Sequence, residues 1–353
     1  MAKVAILGSG IMASALTFPL AKNGHEVHLV GTHLDRDIVD SIQETGVHPG
    51  LDLKLPDSVR AYQLEEAAEA FEGADVAMSG VNSFGVHWVA EQLTHLLKPG
   101  MRLLSITKGM EADADGTLHM IPDVLRARIP KDVVDSVSWS AIVGPSIAGE
   151  VAVGHETCVV FCGDDQAELD YLADLFRTDW YFVWTSTDFI GHEVGAATKN
   201  IYAFAAGLGQ GLLAKEGKAE DRYVRFNYGA AVFAEGQREL RQFVELLGGD
   251  PRTADGLGGV GDMFVTSMGG RNVKAGQYVG AGKPFSEVRD HLLKGVTLEG
   301  VNAIRVVGGA LEPLTARGVI KPEDFPLCRY LYEIIVHDAP LVMPWKKFFG
   351  GMR

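Results

Sequence analysis

Three cysteines in 353 residues, at 158, 162 and 328, are too few and too unevenly spaced for a disulfide framework or a thiolate metal cluster. Cys158 and Cys162 fall in one apparent strand, Thr157 to Cys162, whose rise of about 3.3 Å per residue keeps their Cα atoms too far apart to be bridged. All three read as small buried hydrophobes in a reducing, cytoplasmic setting, and no metal site is expected. Positive charge is also scarce. Lys and Arg number 32 against 46 Asp and Glu, a formal net charge of -14, which excludes a nucleic-acid groove or an anionic membrane surface as partner. An anionic small substrate stays open, provided the cations that meet it are local. Long apolar runs are missing too. The one leader-like stretch, Lys3 to Ala21, carries Gly8 and Gly10 and continues into a strand-like Val27 to Val30, so it is expected to belong to the folded, mature chain. No other run approaches the roughly 18 to 20 apolar residues that cross a bilayer.

What is present points to two domains, because a chain of this length with 47% hydrophobic residues exceeds one typical core. Ala2 to Leu7 is a short apolar run that ends in Gly8-Ser9-Gly10-Ile11-Met12-Ala13, continues as a helical pattern to about Asn23, and re-enters a strand at His25 to Val30. Strand, glycine turn, helix, strand is the βαβ unit of a dinucleotide-binding fold. Gly8 suits the tight turn, Gly10 leaves room for a pyrophosphate, and Ala13 stands where a third glycine would allow close helix-strand contact. Pro19 should kink or shorten the helix. After the second strand the chain reads Gly31-Thr32-His33-Leu34-Asp35-Arg36, with no carboxylate at the strand tip itself. Thr32, His33 and Arg36 suit a 2′-phosphate, which favours NADP; Asp35 or Asp37 swinging in would suit NAD, so both coenzymes stay open.

Further strands are expected at Val76 to Val81, Arg102 to Ile106 and Val137 to Val143, with helical stretches at Leu64 to Phe71 and Phe84 to Leu97. These strands end in Asn82-Ser83-Phe84, Thr107-Lys108-Gly109 and Gly144-Pro145-Ser146, the ends at which open parallel sheets bind ligands. Lys108 is a candidate contact for a phosphate or a polar oxygen; an ordinary surface lysine after a strand is the alternative. From Asp188 the pattern turns helical: Asp188 to Leu213, Tyr228 to Leu247, Phe285 to Leu292, Gly300 to Arg317 and Leu327 to Asp338, with Gly211 to Lys218 reading as a mobile loop. The expected architecture is α/β, a Rossmann-type dinucleotide-binding domain over residues 1–187 followed by an all-α domain over 188–353.

Lys199 lies in Gly195-Ala196-Ala197-Thr198-Lys199-Asn200, inside an apolar helical stretch. Desolvation there would bring an ammonium toward proton exchange, making it a candidate donor or acceptor; a lysine whose head reaches water is the alternative. Four glycines from Gly256 to Gly261 precede Asp262, which would open a helix and share a face with Thr266, unless it is simply a cap. Arg271-Asn272 after a glycine pair suits anion capture, since a guanidinium forks two phosphate oxygens.

Taken in order, Gly-x-Gly-x-x-Ala at 8 to 13, Thr107-Lys108-Gly109, Gly144-Pro145-Ser146 with Ala148 and Glu150, Lys199-Asn200, Gly261-Asp262, Arg271-Asn272 and Glu299-Gly300 resemble the bacterial-type NAD(P)-dependent glycerol-3-phosphate dehydrogenase family. The resemblance implies hydride transfer between glycerol 3-phosphate, or a related polyol phosphate, and the corresponding ketone, with Lys199 exchanging the proton and Asp262, Thr266 and Asn200 around it. It assigns Lys108, Gly144, Ser146, Gly270, Arg271 and Asn272 to the substrate, and Ile11, Met12, Ala148, Arg271 and Glu299 to the coenzyme beside Gly8, Gly10, Lys108, Thr32 and His33. A homodimer is common among such relatives. The chain departs from the family at Met268-Gly269-Gly270, where relatives usually carry a serine before the Arg-Asn pair, at Thr198, at Leu298 and in the tail from Pro344 to Arg353. Two other readings share these features: a β-hydroxyacid dehydrogenase acting on a carboxylate, and an NADPH-sensing regulator without turnover.

Overall fold

A computed structural model describes residues 1–217 and 225–349. Two compact units emerge, one of Met1–Lys108 with Ile121–Phe189, the other of Gly109–Met120 with Ile190–Arg353.

The first unit is built on an eight-stranded sheet: β1 Lys3–Leu7, β2 Glu26–Val30, β3 Val59–Tyr62, β4 Val76–Ser79, β5 Arg102–Ser105, β6 Ser138–Val143, β7 Thr157–Gly163 and β8 Tyr181–Ser186. Its spatial order is β8-β7-β6-β5-β4-β1-β2-β3. The strands β3-β2-β1-β4-β5-β6 run parallel, and β7 joins β6 antiparallel with β8 parallel to β7. That parallel order is the doubly wound one in which nucleotides bind where the winding reverses. The central strands read as unbroken apolar runs because both their faces are covered. β3 and β8, which the sequence reading did not single out, are the two edges. Their burial alternates or is partial, as in Phe182 and Trp184, which are exposed on β8. Cys158, expected to be buried, is exposed beside Phe182 in the register of that edge, whereas Cys162 and Cys328 are buried.

The helix after the glycine turn is interrupted, as Pro19 requires. It forms Ile11–Ala15 and Thr17–Lys22, with Pro19 in the first turn of the second piece, where no intrahelical N–H is needed.

The second unit is helical apart from the hairpin of Met110–Ala112 with Leu118–Met120. This hairpin lies inside the range expected of the first domain, yet it packs with the helical unit. A Cβ on Gly116 would stand 2.7 Å from the Ala310 carbonyl oxygen, and the Arg317 guanidinium donates to the Asp115 carboxylate at 2.9 Å and the Thr117 hydroxyl at 3.0 Å. The main helices are Phe189–Lys215, Phe226–Leu246, Arg271–Gly280, Glu299–Ala316 and Pro326–His337. Gly211 to Lys215, read as loop, continues the first of these: Gly211 allows its backbone to approach Gly280 and Ala281, and that packing outweighs glycine's weak helix propensity. Lys218 lies outside the described residues. One core gathers Ile201, Phe204, Leu240, Phe243, Leu311 and Leu331 around the long helix.

Candidate active site

The glycine turn of the first unit has the shape its residues dictate. Gly8 has φ +112°, and a Cβ there would stand 2.9 Å from the Gly80 carbonyl group, so only glycine fits. Ala13 is buried against Gly80, where an added Cβ would meet the Ala13 methyl at 2.8 Å, the close contact expected of the third motif position. Gly10 has nothing within 4 Å of its missing side chain, so its backbone is open to a ligand. The Asp35 carboxylate, which the sequence left free to reach a ribose, is instead turned into the protein. It accepts from the Thr32 backbone N–H at 2.9 Å and from that of Ser9 at 3.3 Å. At the same tip Arg36 is paired with Glu65, and His33 meets Trp88 edge-on, with ring centroids 5.3 Å apart.

Beyond the ends of β4 and β5, the Thr107 hydroxyl donates to the Val81 carbonyl at 2.8 Å and ties the two loops together. A cavity of about 30 Å³ then brings Lys108, Gly144, Ser146 and Met12 side by side over Tyr181. Gly144 has φ +116°, and the Ser146 hydroxyl lies 3.8 Å from the Met12 sulfur. Ile11 is exposed, and Ala148 opens a short helix, Ala148–Ala152.

In the helical unit Lys199 is 7% exposed and forms an ion pair with Asp262, which is 1% exposed. Small residues make this approach feasible. Gly195 precedes Lys199 by one helical turn on the same face, and a Cβ on Gly195 would lie 2.9 Å from the Gly258 carbonyl oxygen. The glycines at 258 and 261 fall in a single π-helical turn, Leu257–Gly261, rather than the open turn expected, and Asp262 begins the helix Asp262–Ser267 directly after it. Gly195 and Lys199 thus face Gly258 and Asp262. Asp262 is not the cap of its helix: Gly261 holds that position, and the carboxylate is directed to the lysine. The Thr266 hydroxyl donates to the Asp262 carbonyl at 2.6 Å, one turn along.

Asn200 is buried next to the lysine. Its side-chain oxygen accepts from Asn272 at 3.5 Å, and the Asn272 oxygen accepts from the Gly300 backbone N–H at 3.0 Å. The pair fastens the start of helix Glu299–Ala316 to the lysine helix, with Glu299 in its first turn. Arg271 is exposed at the first position of its helix, behind Gly270 at φ +97°. Lys199, Asn200, Asp262, Thr266 and Asn272 therefore gather in one unit, while Gly8, Gly10, Met12, Lys108, Gly144 and Ser146 belong to the other. The fixing role of Asp35 had no sequence signal beyond its distance from the strand.

These two halves match the two domain models of NAD-dependent glycerol-3-phosphate dehydrogenase, the N-terminal one over residues 3–169 and the C-terminal one over 188–343. The chain belongs to this family. Within it, the chain is 34% identical to the NADP(+)-dependent glycerol-3-phosphate dehydrogenase of Archaeoglobus fulgidus, over 82% of this chain and 83% of that one. It is 31% identical to glycerol-3-phosphate dehydrogenase [NAD(P)+] of Enterococcus faecalis, over 95% and 92%. The crystal structure of glycerol-3-phosphate dehydrogenase from Coxiella burnetii superposes with a TM-score of 0.79 at 26% identity, covering 98% of this chain and 97% of that one.

Proposed function

We propose that the protein interconverts sn-glycerol 3-phosphate and dihydroxyacetone phosphate, or a closely related polyol phosphate pair, with NAD(P) as coenzyme. The observation that carries this reading is the buried Lys199–Asp262 pair, set in a family of dehydrogenases that act on this alcohol. The nicotinamide coenzyme, when bound, supplies or accepts the hydride. The open space at Gly10 and the tight turn at Gly8 are the features its pyrophosphate needs, and Ile11, Met12, Ala148, Arg271 and Glu299 complete its contacts in this reading.

During reduction the Lys199 ammonium gives a proton to the ketone oxygen; during oxidation the neutral amine takes the hydroxyl proton. Asp262 holds the amine in place and compensates its charge when protonated. Asn200, through Asn272, ties the lysine helix to the start of helix Glu299–Ala316, and Thr266 bonds the Asp262 carbonyl within the aspartate's own helix. Lys108, Gly144, Ser146, Gly270, Arg271 and Asn272 bind the phosphorylated substrate, with the Arg271 guanidinium suited to fork two phosphate oxygens.

NADP is the favoured coenzyme. Asp35 is committed to the Ser9 and Thr32 amides, so the carboxylate that would bond a ribose hydroxyl and repel a 2′-phosphate is withdrawn, leaving Thr32, His33 and Arg36 at the tip. A cytoplasmic homodimer fits three cysteines that form no disulfide and the habits of such relatives. Among the described residues no helix is long and apolar enough to cross a membrane.

The test is absorbance at the reduced-nicotinamide band with NADPH and NADH against dihydroxyacetone phosphate and a panel of 2- and 3-oxo acids. Oxidation of coenzyme by the phosphorylated ketone supports the reading. Turnover of the oxo acids alone, or tight coenzyme binding without turnover, refutes it.

A further inference from the structure

The Ser9 peptide, between the two glycines of the turn, is gripped by a histidine outside every motif above. His48 is completely buried and ends the two-residue strand Val47–His48. Its Nδ1 accepts from two backbone N–H groups, those of Gly50 and Leu51, each at 3.1 Å. Nδ1 therefore bears the lone pair, and a neutral imidazole must then carry its hydrogen on Nε2. That Nε2–H points at the Ser9 carbonyl oxygen, 2.9 Å away. Neither ring nitrogen is left over, and only the neutral Nε2–H form satisfies all three bonds together.

The same peptide stretch is fixed from its other side. Ser9 donates its own N–H to Asp35, and its carbonyl also accepts from the Ser14 hydroxyl at 3.2 Å. The short hairpin that carries His48 is seated close by: a Cβ on Gly50 would stand 3.0 Å from the Ile11 side chain, in the first residue after the turn. Gly10, the next residue along from Ser9, is the one with open space beside it.

We propose that His48 is a positioning residue for the coenzyme: its Nε2–H fixes the Ser9 peptide, so that the backbone of Gly8 to Gly10 is already set before a dinucleotide arrives. Pre-ordering of this kind raises affinity, because the turn is not ordered at the expense of binding. The inference rests on the coenzyme reading above, and it adds to that reading a residue that never touches the ligand.

Two variants separate positioning from folding. His48→Asn keeps an oxygen where Nδ1 stood, able to accept from Gly50 and Leu51 in an Asx-type turn, but its amide is too short to reach Ser9. His48→Gln extends an N–H group toward the Ser9 carbonyl. With the full-length protein, titration of NADPH fluorescence should show His48→Asn binding about tenfold more weakly, the worth of one hydrogen bond, with its unfolding temperature close to that of the wild type. Its turnover at saturating NADPH and its KM for dihydroxyacetone phosphate should stay near the wild-type values, and His48→Gln should recover part of the affinity. The imidazole ¹⁵N shifts of the wild type should report the Nε2–H tautomer. Wild-type NADPH affinity in His48→Asn, the opposite tautomer, or a parallel loss of turnover, ketone affinity and coenzyme affinity would each overturn the proposal. A wild-type protein that binds no reduced coenzyme would instead overturn the proposed function.

Discussion

Lys199 and Asp262, 63 positions apart in the chain, form an ion pair in which both side chains are almost wholly removed from water. Burial makes each charge depend on the other, since removing one partner of a buried pair typically costs about 3 to 5 kcal/mol. Lys199→Ala should lower turnover by about a hundredfold or more, the usual contribution of a placed proton donor, and leave NADPH binding intact. Steady-state kinetics beside a coenzyme titration check this, and retained turnover would remove Lys199 from the mechanism. Asp262→Asn should lower both turnover and the unfolding temperature, because the buried ammonium loses its counter-charge.

Gly195 sets how closely the aspartate's turn approaches the lysine helix. Its missing Cβ would stand 2.9 Å from the Gly258 carbonyl oxygen, which is backbone and yields only if the turn shifts. Gly195→Ala should therefore destabilise the protein by roughly 1 to 3 kcal/mol, as overpacking does, and reduce turnover by displacing Asp262. Thermal unfolding and kcat read the two effects; an unchanged kcat would show that the turn can retreat without moving the carboxylate.

Arg36 and Glu65 should set coenzyme preference in opposite senses. The pair is exposed, so it contributes little to stability, and a 2′-phosphate competes with Glu65 for the guanidinium. Arg36→Gln should cut kcat/KM for NADPH about tenfold, the loss of one charge-assisted hydrogen bond, and leave NADH nearly unaffected. Glu65→Gln should shift the ratio toward NADPH. Equal effects on both coenzymes would place the phosphate elsewhere.

Glu239 supplies a pH signature in the helical unit, where the Tyr202 hydroxyl donates to its carboxylate at 3.2 Å. It is fully buried and accepts from the Leu327 and Cys328 backbone N–H groups at 2.6 and 3.0 Å, at the start of helix Pro326–His337. Burial raises its pKa from 4.5 to about 8, outweighing those two bonds. Below 4.5 the carboxyl is protonated in folded and unfolded chains alike. Between 4.5 and about 8 the unfolded chain ionises first, so this group's contribution to stability is lost as pH rises through that window, and above it nothing further changes. Glu239→Gln should flatten the pH dependence of Tm across this window; a slope as steep as that of the wild type would assign it to other groups.

The sequence made the sheet largely legible because the inner parallel strands are covered on both faces and appear as unbroken apolar runs. β3 and β8 escaped because edge strands are partly wet and their runs are broken. The hairpin at 110–120 escaped for a different reason: its attachment to the helical unit depends on Gly116, Asp115 and Thr117 meeting a helix some two hundred residues later. Local propensity also misjudged Gly211 to Lys215, where a neighbouring backbone holds glycine in a helix.

The sequence by itself determined the two-part architecture, the glycine turn and the polar residues available for chemistry, because each follows from local spacing: a period of hydrophobicity, a turn only glycine can make, a charge placed among small apolar neighbours. Tertiary structure alone decided how those groups are used. Whether Asp262 capped a helix or met Lys199 depended on the glycine-lined contact between two distant segments. Whether Asp35 faced a ribose or the protein depended on the Ser9 and Thr32 amides that fold beneath it, and the role of His48 depended on a hairpin that returns to the turn. Hydrogen bonds and ion pairs are short-ranged and directional, so their partners are fixed only when the chain has closed on itself.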